Sequence, residues 1–150
     1  MLVHCSSLLG NRITGPIPGE LANISTLTDL LLTSNNLTGE LSATLAKLTT
    51  LKELLIQGSG LSGPIPSGIA SMTKLSDLDL SFNKLSGPIP ENFSGLSNTD
   101  FIYLTGNSLT GPLPAWMLKL KNRYWLDLRL TVPDNNVKQS GGLRGNYGSE

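Results

Sequence analysis

Cysteine and histidine are almost missing from this sequence. Its 150 residues include one cysteine, Cys5, and one histidine, His4. A single thiol excludes an intrachain disulfide, and one His with one Cys cannot supply the ligands of a structural zinc site. No serine and acid accompany His4 in an arrangement that would predict a catalytic triad. The shortage of reactive side chains argues against an enzyme, a metal centre and a bound cofactor.

Charge and long apolar runs are also scarce. Charged residues make up 15% of the chain, and the formal net charge is zero. No basic surface for nucleic acid is therefore expected. No apolar stretch reaches the length of a membrane span. The first residues, MLVHCSSLLGNR, lack the basic and apolar regions of a signal peptide. We predict no nucleic-acid partner, no membrane segment and no signal peptide in this chain.

One glycine motif could be mistaken for a cofactor site. The segment GSGLSG, with Gly58, Gly60 and Gly63, matches the dinucleotide-binding pattern GxGxxG after a predicted strand. That pattern needs a helix to begin in the turn, whereas Pro64 and Pro66 follow at once. We interpret the match as coincidence, and no cofactor is predicted.

Asparagine, in contrast, recurs with a period of 24 residues. Asn11, Asn35, Asn83 and Asn107 are in phase, and Ser59 occupies the remaining position of the series. Leucine or a similar residue lies eight, five and three positions before these positions and two positions after them, except at Ser6 and Thr99. This is the leucine-rich-repeat pattern, which predicts a solenoid.

The period divides the chain into five full coils and part of a sixth. Coils one to five cover residues 3–26, 27–50, 51–74, 75–98 and 99–122. Alternating apolar and polar residues predict one short strand in each coil, and stacked coils predict a curved parallel sheet. The fold class is therefore an α/β repeat solenoid. Residues 1–130 are assigned to the repeats, without recognisable caps, and the polar segment 131–150 is predicted to be disordered.

The in-phase asparagine has a structural explanation. Its side-chain amide can donate to and accept from backbone groups in the turn that leaves the strand. Ser59 keeps a hydroxyl but has less reach than asparagine. The turn at Ser59 is therefore predicted to be weaker than the others.

Four coils also contain a Gly-Pro turn. These turns span residues 14–18, 62–66, 86–90 and 110–114, with the sequences TGPIP, SGPIP, SGPIP and TGPLP. Together with the leucine frame they resemble the plant-type repeat of receptor-like kinases and polygalacturonase inhibitors, over roughly residues 8–128. The resemblance implies a second short strand at each Gly-Pro segment.

A narrower resemblance involves SMTKLSDLDLSFNKLSGPIPENFSGL and FIYLTGNSLTGPLPAWML. These stretches are similar to the late repeats of plant receptor-like kinases that also carry a malectin-like domain. The resemblance implies a repeat region at the extracellular face of the plasma membrane, with the kinase elsewhere in the parent protein. It implies a protein or peptide ligand, with a co-receptor as a further candidate partner. We interpret this chain as a truncated fragment of such an ectodomain.

Candidate partner-binding residues lie toward the C-terminal coils, most of them on the predicted concave face. Aromatic side chains beside carboxylates are typical of interface centres. The alternative is that these aromatics pack on each other or on a following domain. The candidates are Asp77, Asp79, Phe82, Phe101, Tyr103, Trp125 and Asp127.

Three N-glycosylation acceptors are present, although such motifs also occur by chance. Asn23, Asn36 and Asn92 begin the motifs NIS, NLT and NFS. All three fall at positions predicted to face water, which agrees with a secreted repeat domain.

The preferred hypothesis is an extracellular binding module of a plant receptor-like serine/threonine kinase. One alternative is a stand-alone secreted repeat protein, such as an inhibitor of a cell-wall hydrolase. The other is a structural segment that spaces a ligand-binding domain from the membrane.

Overall fold

A computed structural model describes residues 4–117 and the backbone of residues 125–127. The predicted end of the repeats at residue 130 and the predicted disordered segment 131–150 lie outside the described residues. In the described part, each full coil contributes a strand to the main sheet and a second strand after the turn, and coils one to four each add a 3-10 helix. None of these helices has the length and apolar character to cross a bilayer.

The main sheet contains six parallel strands, one from each coil. The central residue of a strand, such as Leu30, Leu54 or Leu78, is fully buried, and its neighbours are half-exposed. Each residue pairs with the one 24 positions later, as Leu30 does with Leu54. This register confirms the predicted fold class. The strands are β1 (Cys5–Ser7), β3 (Asp29–Leu31), β5 (Glu53–Leu55), β7 (Asp77–Asp79), β9 (Phe101–Tyr103) and β11 (Trp125–Asp127).

A second set of strands lies after the turns. Three of them overlap the Gly-Pro segments at 14–18, 62–66 and 86–90, as the resemblance implied, whereas one ends just before the segment at 110–114 and one forms in coil two, which has no such segment. The set is divided into a two-stranded group, β2 with β4, and a three-stranded group, β6 with β8 and β10. A single bridge between Glu40 and Ser62 connects the two groups. The strands are β2 (Thr14–Gly15), β4 (Asn36–Leu37), β6 (Ser62–Pro64), β8 (Lys84–Gly87) and β10 (Ser108–Leu109).

Short 3-10 helices form the side of the solenoid opposite the main sheet. Pro18, Pro66 and Pro90 precede three of them in an extended conformation, which delivers the chain into a single tight turn. In coil two, Ser42 occupies this position, and its side chain accepts a hydrogen bond from the backbone amide of Thr44. The helices are η1 (Gly19–Asn23), η2 (Ala43–Lys47), η3 (Ser67–Ser71) and η4 (Glu91–Gly95).

The core is a continuous apolar column between the main sheet and these helices. Coils two, three and four each supply a leucine from the strand and one apolar residue from the helix, and neighbouring coils bury each other's layers. In the helix position, Leu45 is followed by Ile69 and then Phe93, all of which are essentially buried. Phe93 is the largest of these three side chains, and it fills the helix-side core of coil four.

The buried asparagines join consecutive turns, as the sequence predicted. Asn83 donates from Nδ2 to the carbonyl oxygens of Ile56 at 2.7 Å and Leu80 at 3.1 Å, and its Oδ1 accepts from the amide of Leu61 at 3.2 Å. Asn107 makes the equivalent bonds one coil later. One amide thus satisfies backbone groups of its own coil and of the preceding coil.

Ser59 interrupts this ladder. Its Oγ is buried and has no hydrogen-bond partner. By the 24-residue period, an asparagine there would accept from the amide of Leu37, as Asn83 does from Leu61. Leu37 lies in β4, beside the gap in the second set of strands. Backbone bonds still cross this seam, from the amide of Gly60 to the carbonyl oxygen of Leu37 at 2.9 Å and from the amide of Ser62 to the carbonyl oxygen of Gly39 at 2.8 Å. What this seam lacks is the side-chain bond that an asparagine makes at the equivalent position of other coils.

We therefore expect Ser59→Asn to stabilise the chain by about 1–2 kcal/mol, since it restores bonds between two coils. Ser59→Ala is expected to be neutral or slightly stabilising, because it removes a buried hydroxyl that has no partner. Equilibrium urea denaturation measures both changes. A clear loss of stability in Ser59→Ala would contradict the assignment of an unsatisfied hydroxyl.

Candidate functional site

The face of the main sheet that points away from the core, here called the open face, carries two columns of side chains. Strand pairing in register places the members of each column directly beside one another. The first column contains Cys5, Asp29, Glu53, Asp77 and Phe101, and the second contains Ser7, Leu31, Leu55, Asp79 and Tyr103.

Phe101 and Tyr103 form a stacked aromatic pair on this face. They are two residues apart in β9, so both side chains point to the same side of the sheet. Their ring centroids are 6.1 Å apart and their planes differ by 5°. Both residues remain half-exposed. The two rings pack on each other, as the alternative interpretation proposed, and still present one apolar surface to solvent.

Asp77 and Asp79 lie directly beside this pair on the preceding strand. Their register partners are Phe101 and Tyr103. Ser76 Oγ donates to Asp77 Oδ2 at 2.6 Å, and the amide of Ser81 donates to Asp79 Oδ1 at 2.9 Å. These bonds restrict the rotamers of both carboxylates and leave each with a further oxygen for another donor. Four of the predicted residues are therefore neighbours on one face.

Phe82 occupies a different place from these four residues. It lies in the turn after β7, with a left-handed φ of 54° and 57% of its surface exposed. The same turn position holds glycine in coils one, three and five, and Ser34 in coil two. A Cβ added to Gly106 would lie 2.7 Å from the Phe82 ring. Phe82 therefore rests on Gly106 at the edge of the open face.

The remaining two candidates are placed by their backbone alone. Trp125 pairs with Phe101, and Asp127 pairs with Tyr103. By this pairing, Trp125 follows Phe101 in the first column and Asp127 follows Tyr103 in the second. The structure describes only their backbone. Their role stays a prediction.

Sequence reasoning did not select two acidic residues of the first column. Asp29 and Glu53 precede Asp77 in direct register, and Thr28 Oγ1 donates to Asp29 Oδ2 at 2.7 Å. The 24-residue period already aligns all three positions. The period alone could therefore have identified Asp29 and Glu53, but the prediction was based on aromatic residues, which occur in the later coils.

The three glycosylation acceptors are exposed and lie in elements other than the main sheet. Asn23 ends η1, Asn36 begins β4, and Asn92 lies in η4. Asn92 Nδ2 donates to the carbonyl oxygen of Ser67 at 2.9 Å. Glycans at these positions would project from the helix side and from the second set of strands, so they would leave the open face accessible.

The described residues offer surfaces for binding and no centre for catalysis. Within residues 4–117, no three His, Cys, Asp or Glu side chains are grouped so that they could hold a metal ion. Cys5 is an exposed free thiol in β1. Gly58 and Gly60 lie in a turn that leads into β6, and Gly63 lies in that strand, so this segment does not begin a helix.

Comparison with known proteins gives the same fold. Residues 49–109 match the family model described as leucine rich repeat. No curated protein is significantly similar in sequence. A chain of the BIR3–SERK2 complex from Arabidopsis thaliana is 32% identical, with a TM-score of 0.73 over 80% of this chain and 64% of that one. A plant ice-binding protein is also 32% identical, with a TM-score of 0.73 over 80% and 42%.

The leucine-rich-repeat ectodomain of the Arabidopsis receptor kinase HAESA, solved with a peptide hormone, is 38% identical. The match has a TM-score of 0.73 and covers 77% of this chain and 20% of that one. The chain thus spans less than two thirds of each of these three structures. It has a leucine-rich-repeat solenoid fold like that of these plant receptor-kinase ectodomains.

Proposed function

We propose that this solenoid is the extracellular recognition module of a plant receptor-like kinase and binds a protein or peptide on its open face. The aromatic pair of Phe101 and Tyr103 beside Asp77 and Asp79 carries the proposal. Large rings that are already packed together lose little conformational entropy on binding, and burying them contributes much of the energy at interface centres. The open face corresponds to the predicted concave face.

The similar structures support this type of partner. The HAESA ectodomain holds a peptide hormone, and the BIR3–SERK2 structure is a complex of two proteins. The plant ice-binding protein has a comparable fold, so the fold alone does not select a ligand. Exposed aromatics flanked by carboxylates favour a polypeptide partner.

Several finer assignments belong to the same proposal. They are a location at the extracellular face of the plasma membrane, glycosylation of Asn23, Asn36 and Asn92, and a parent receptor with a malectin-like domain. A co-receptor ectodomain is the second proposed partner. The exposed acceptor asparagines away from the open face support the glycosylation assignment.

A displayed library of random peptides, selected on the purified chain, tests the binding face. Peptides that bind the open face are expected to lose about 30-fold in affinity when Tyr103 is replaced by alanine, which corresponds to about 2 kcal/mol. Lys47→Ala is the control, because Lys47 is exposed in η2 on the opposite side. Fluorescence anisotropy with purified peptides measures both affinities.

The alternatives predict other outcomes. A cell-wall hydrolase inhibitor would bind a purified polygalacturonase more tightly than any selected peptide, and a structural spacer would yield no peptide sensitive to Tyr103. If Lys47→Ala were the damaging change, the open face would not be the binding surface.

A further inference from the structure

We infer that the partner of the open face is an extended polypeptide segment with two basic residues followed by a large apolar residue, spaced to match the coils. The inference rests on the proposed function and specifies the chemistry of its ligand. It is based on two features of the open face. These are the stacked aromatic pair Phe101 and Tyr103, and the row of carboxylates on the strands that precede this pair. The basic end lies over coils two to four, and the apolar end lies over coil five.

From coil two to coil five, the first column of the open face contains three acidic residues and then an aromatic residue. Asp29 pairs with Glu53, Glu53 with Asp77, and Asp77 with Phe101. Asp79, in the second column, adds a further carboxylate beside Tyr103. Three like charges directly opposite one another on adjacent strands are unfavourable for the sheet. A cationic partner laid across them removes that repulsion, and this complementarity selects basic side chains.

The hydrogen bonds of the carboxylates leave this charge intact. Asp29 and Asp77 accept hydrogen bonds from the hydroxyls of Thr28 and Ser76, which carry no positive charge. Such bonds hold the carboxylates in position without neutralising them. A lysine or arginine from a partner would meet oxygen atoms that are already oriented.

Within residues 4–117, the basic residues lie mainly away from the open face. Residues 4–117 contain five Lys or Arg and eight Asp or Glu. Arg12 and Lys84 belong to the turns and the second set of strands, Lys47 lies in η2, and Lys74 is exposed before β7. Lys52 alone flanks a strand of the main sheet, next to Glu53. Among the described residues, the charged side chains on the open face are therefore acidic.

The spacing of the strands sets the spacing of the ligand. Adjacent strands lie about 4.8 Å apart, so Asp29 and Phe101, three strands apart, are separated by about 14 Å. An extended peptide rises about 3.3 Å per residue, and alternate side chains point to the same side. About four residues thus separate the first basic side chain from the apolar one. The expected pattern is basic, any, basic, any, apolar.

The carboxylates of the first column also argue against ligands that are rich in phosphate. Nucleic acids present a continuous row of negative charge, which Asp29, Glu53 and Asp77 would repel. An acidic peptide would meet the same repulsion. A polypeptide that supplies both cations and a hydrophobic side chain matches both halves of the face.

Selection of a displayed random nonapeptide library on three forms of the chain tests the inference. On the unmodified chain, we expect enrichment of the pattern with two basic residues and a large apolar residue. On the double variant E53K/D77K, the basic preference should be lost and acidic residues should replace it. Glu91→Lys is the matched control, since Glu91 is exposed in η4, and its substitution reverses charge away from the open face.

Affinity measurements with one enriched peptide complete the test. Binding is expected to weaken at least tenfold in E53K/D77K and to change less than twofold in Glu91→Lys. In Phe101→Ala, selection should keep the basic residues and lose the large apolar one. Circular dichroism confirms that each variant is folded.

Two outcomes separate this inference from the proposed function. Enriched peptides that depend on Tyr103 but are neutral or acidic would overturn the inference and leave the binding face in place. Basic peptides that bind E53K/D77K as tightly as the unmodified chain would also overturn it. Failure to select any peptide that depends on Tyr103 would overturn the proposed function itself.

Discussion

Replacing Phe93 with alanine is expected to lower the free energy of unfolding by about 3–5 kcal/mol, the largest effect of any single change considered for this chain. Phe93 is 1% exposed and lies in η4, between Ile69 of the preceding coil and Met117 of the next in the apolar column. Truncation removes most of the buried ring and leaves a cavity. Because each coil contacts only its neighbours, the damage should centre on coils three to five.

Urea denaturation gives the total loss, and amide hydrogen exchange shows which coils are affected. The control is Phe82→Ala, which deletes the same side chain where 57% of it is exposed. That change is expected to cost less than about 1 kcal/mol. Comparable losses in the two variants would mean that Phe93 does not fill the helix-side core.

Replacing Asn83 with alanine is expected to lower stability by about 3 kcal/mol. The side chain is nearly buried and makes bonds with Ile56, Leu61, Leu80 and Ser81. Its loss leaves the amide of Leu61 and backbone carbonyls without that partner in a region closed to water, and each unsatisfied group costs about 1–3 kcal/mol. The effect should be accompanied by faster amide exchange in β6, since Leu61 immediately precedes that strand.

The midpoint of urea unfolding measures this change, with Asn36→Ala as the control. Asn36 is the same residue type, exposed, in β4. Its replacement should shift the midpoint little. If both variants lost equal stability, the in-phase asparagines would not form the ladder that joins the turns.

Most of the fold could be predicted because the period encodes it. Leucines in phase fix which residue of each strand is buried, and identical coils can stack only with equivalent positions adjacent. The buried amides followed from the same reasoning, as did the weakness at Ser59. The period does not specify the division of the second set of strands, which falls at the coil where Ser59 replaces the in-phase asparagine.

The candidate site could be predicted less completely. Alternation placed Asp77, Asp79, Phe101 and Tyr103 on one face, because it depends only on strand geometry. The stacking of the two rings depends on rotamers, which periodicity does not determine. Phe82 was grouped with them through its closeness in sequence. The glycines at the same turn position in other coils were the available signal that it lies in a left-handed turn.

The side chains that connect neighbouring coils nearly all point backwards along the chain. Asn83 reaches the coil before it, and so do Thr44 to Gly19, Ser71 to Ala46 and Asn92 to Ser67. During synthesis, the earlier coil leaves the ribosome first, with some backbone groups still hydrated. Each newly completed coil then supplies the side chains that close them. Loss of a later coil would therefore leave backbone groups of the coil before it without these side-chain partners.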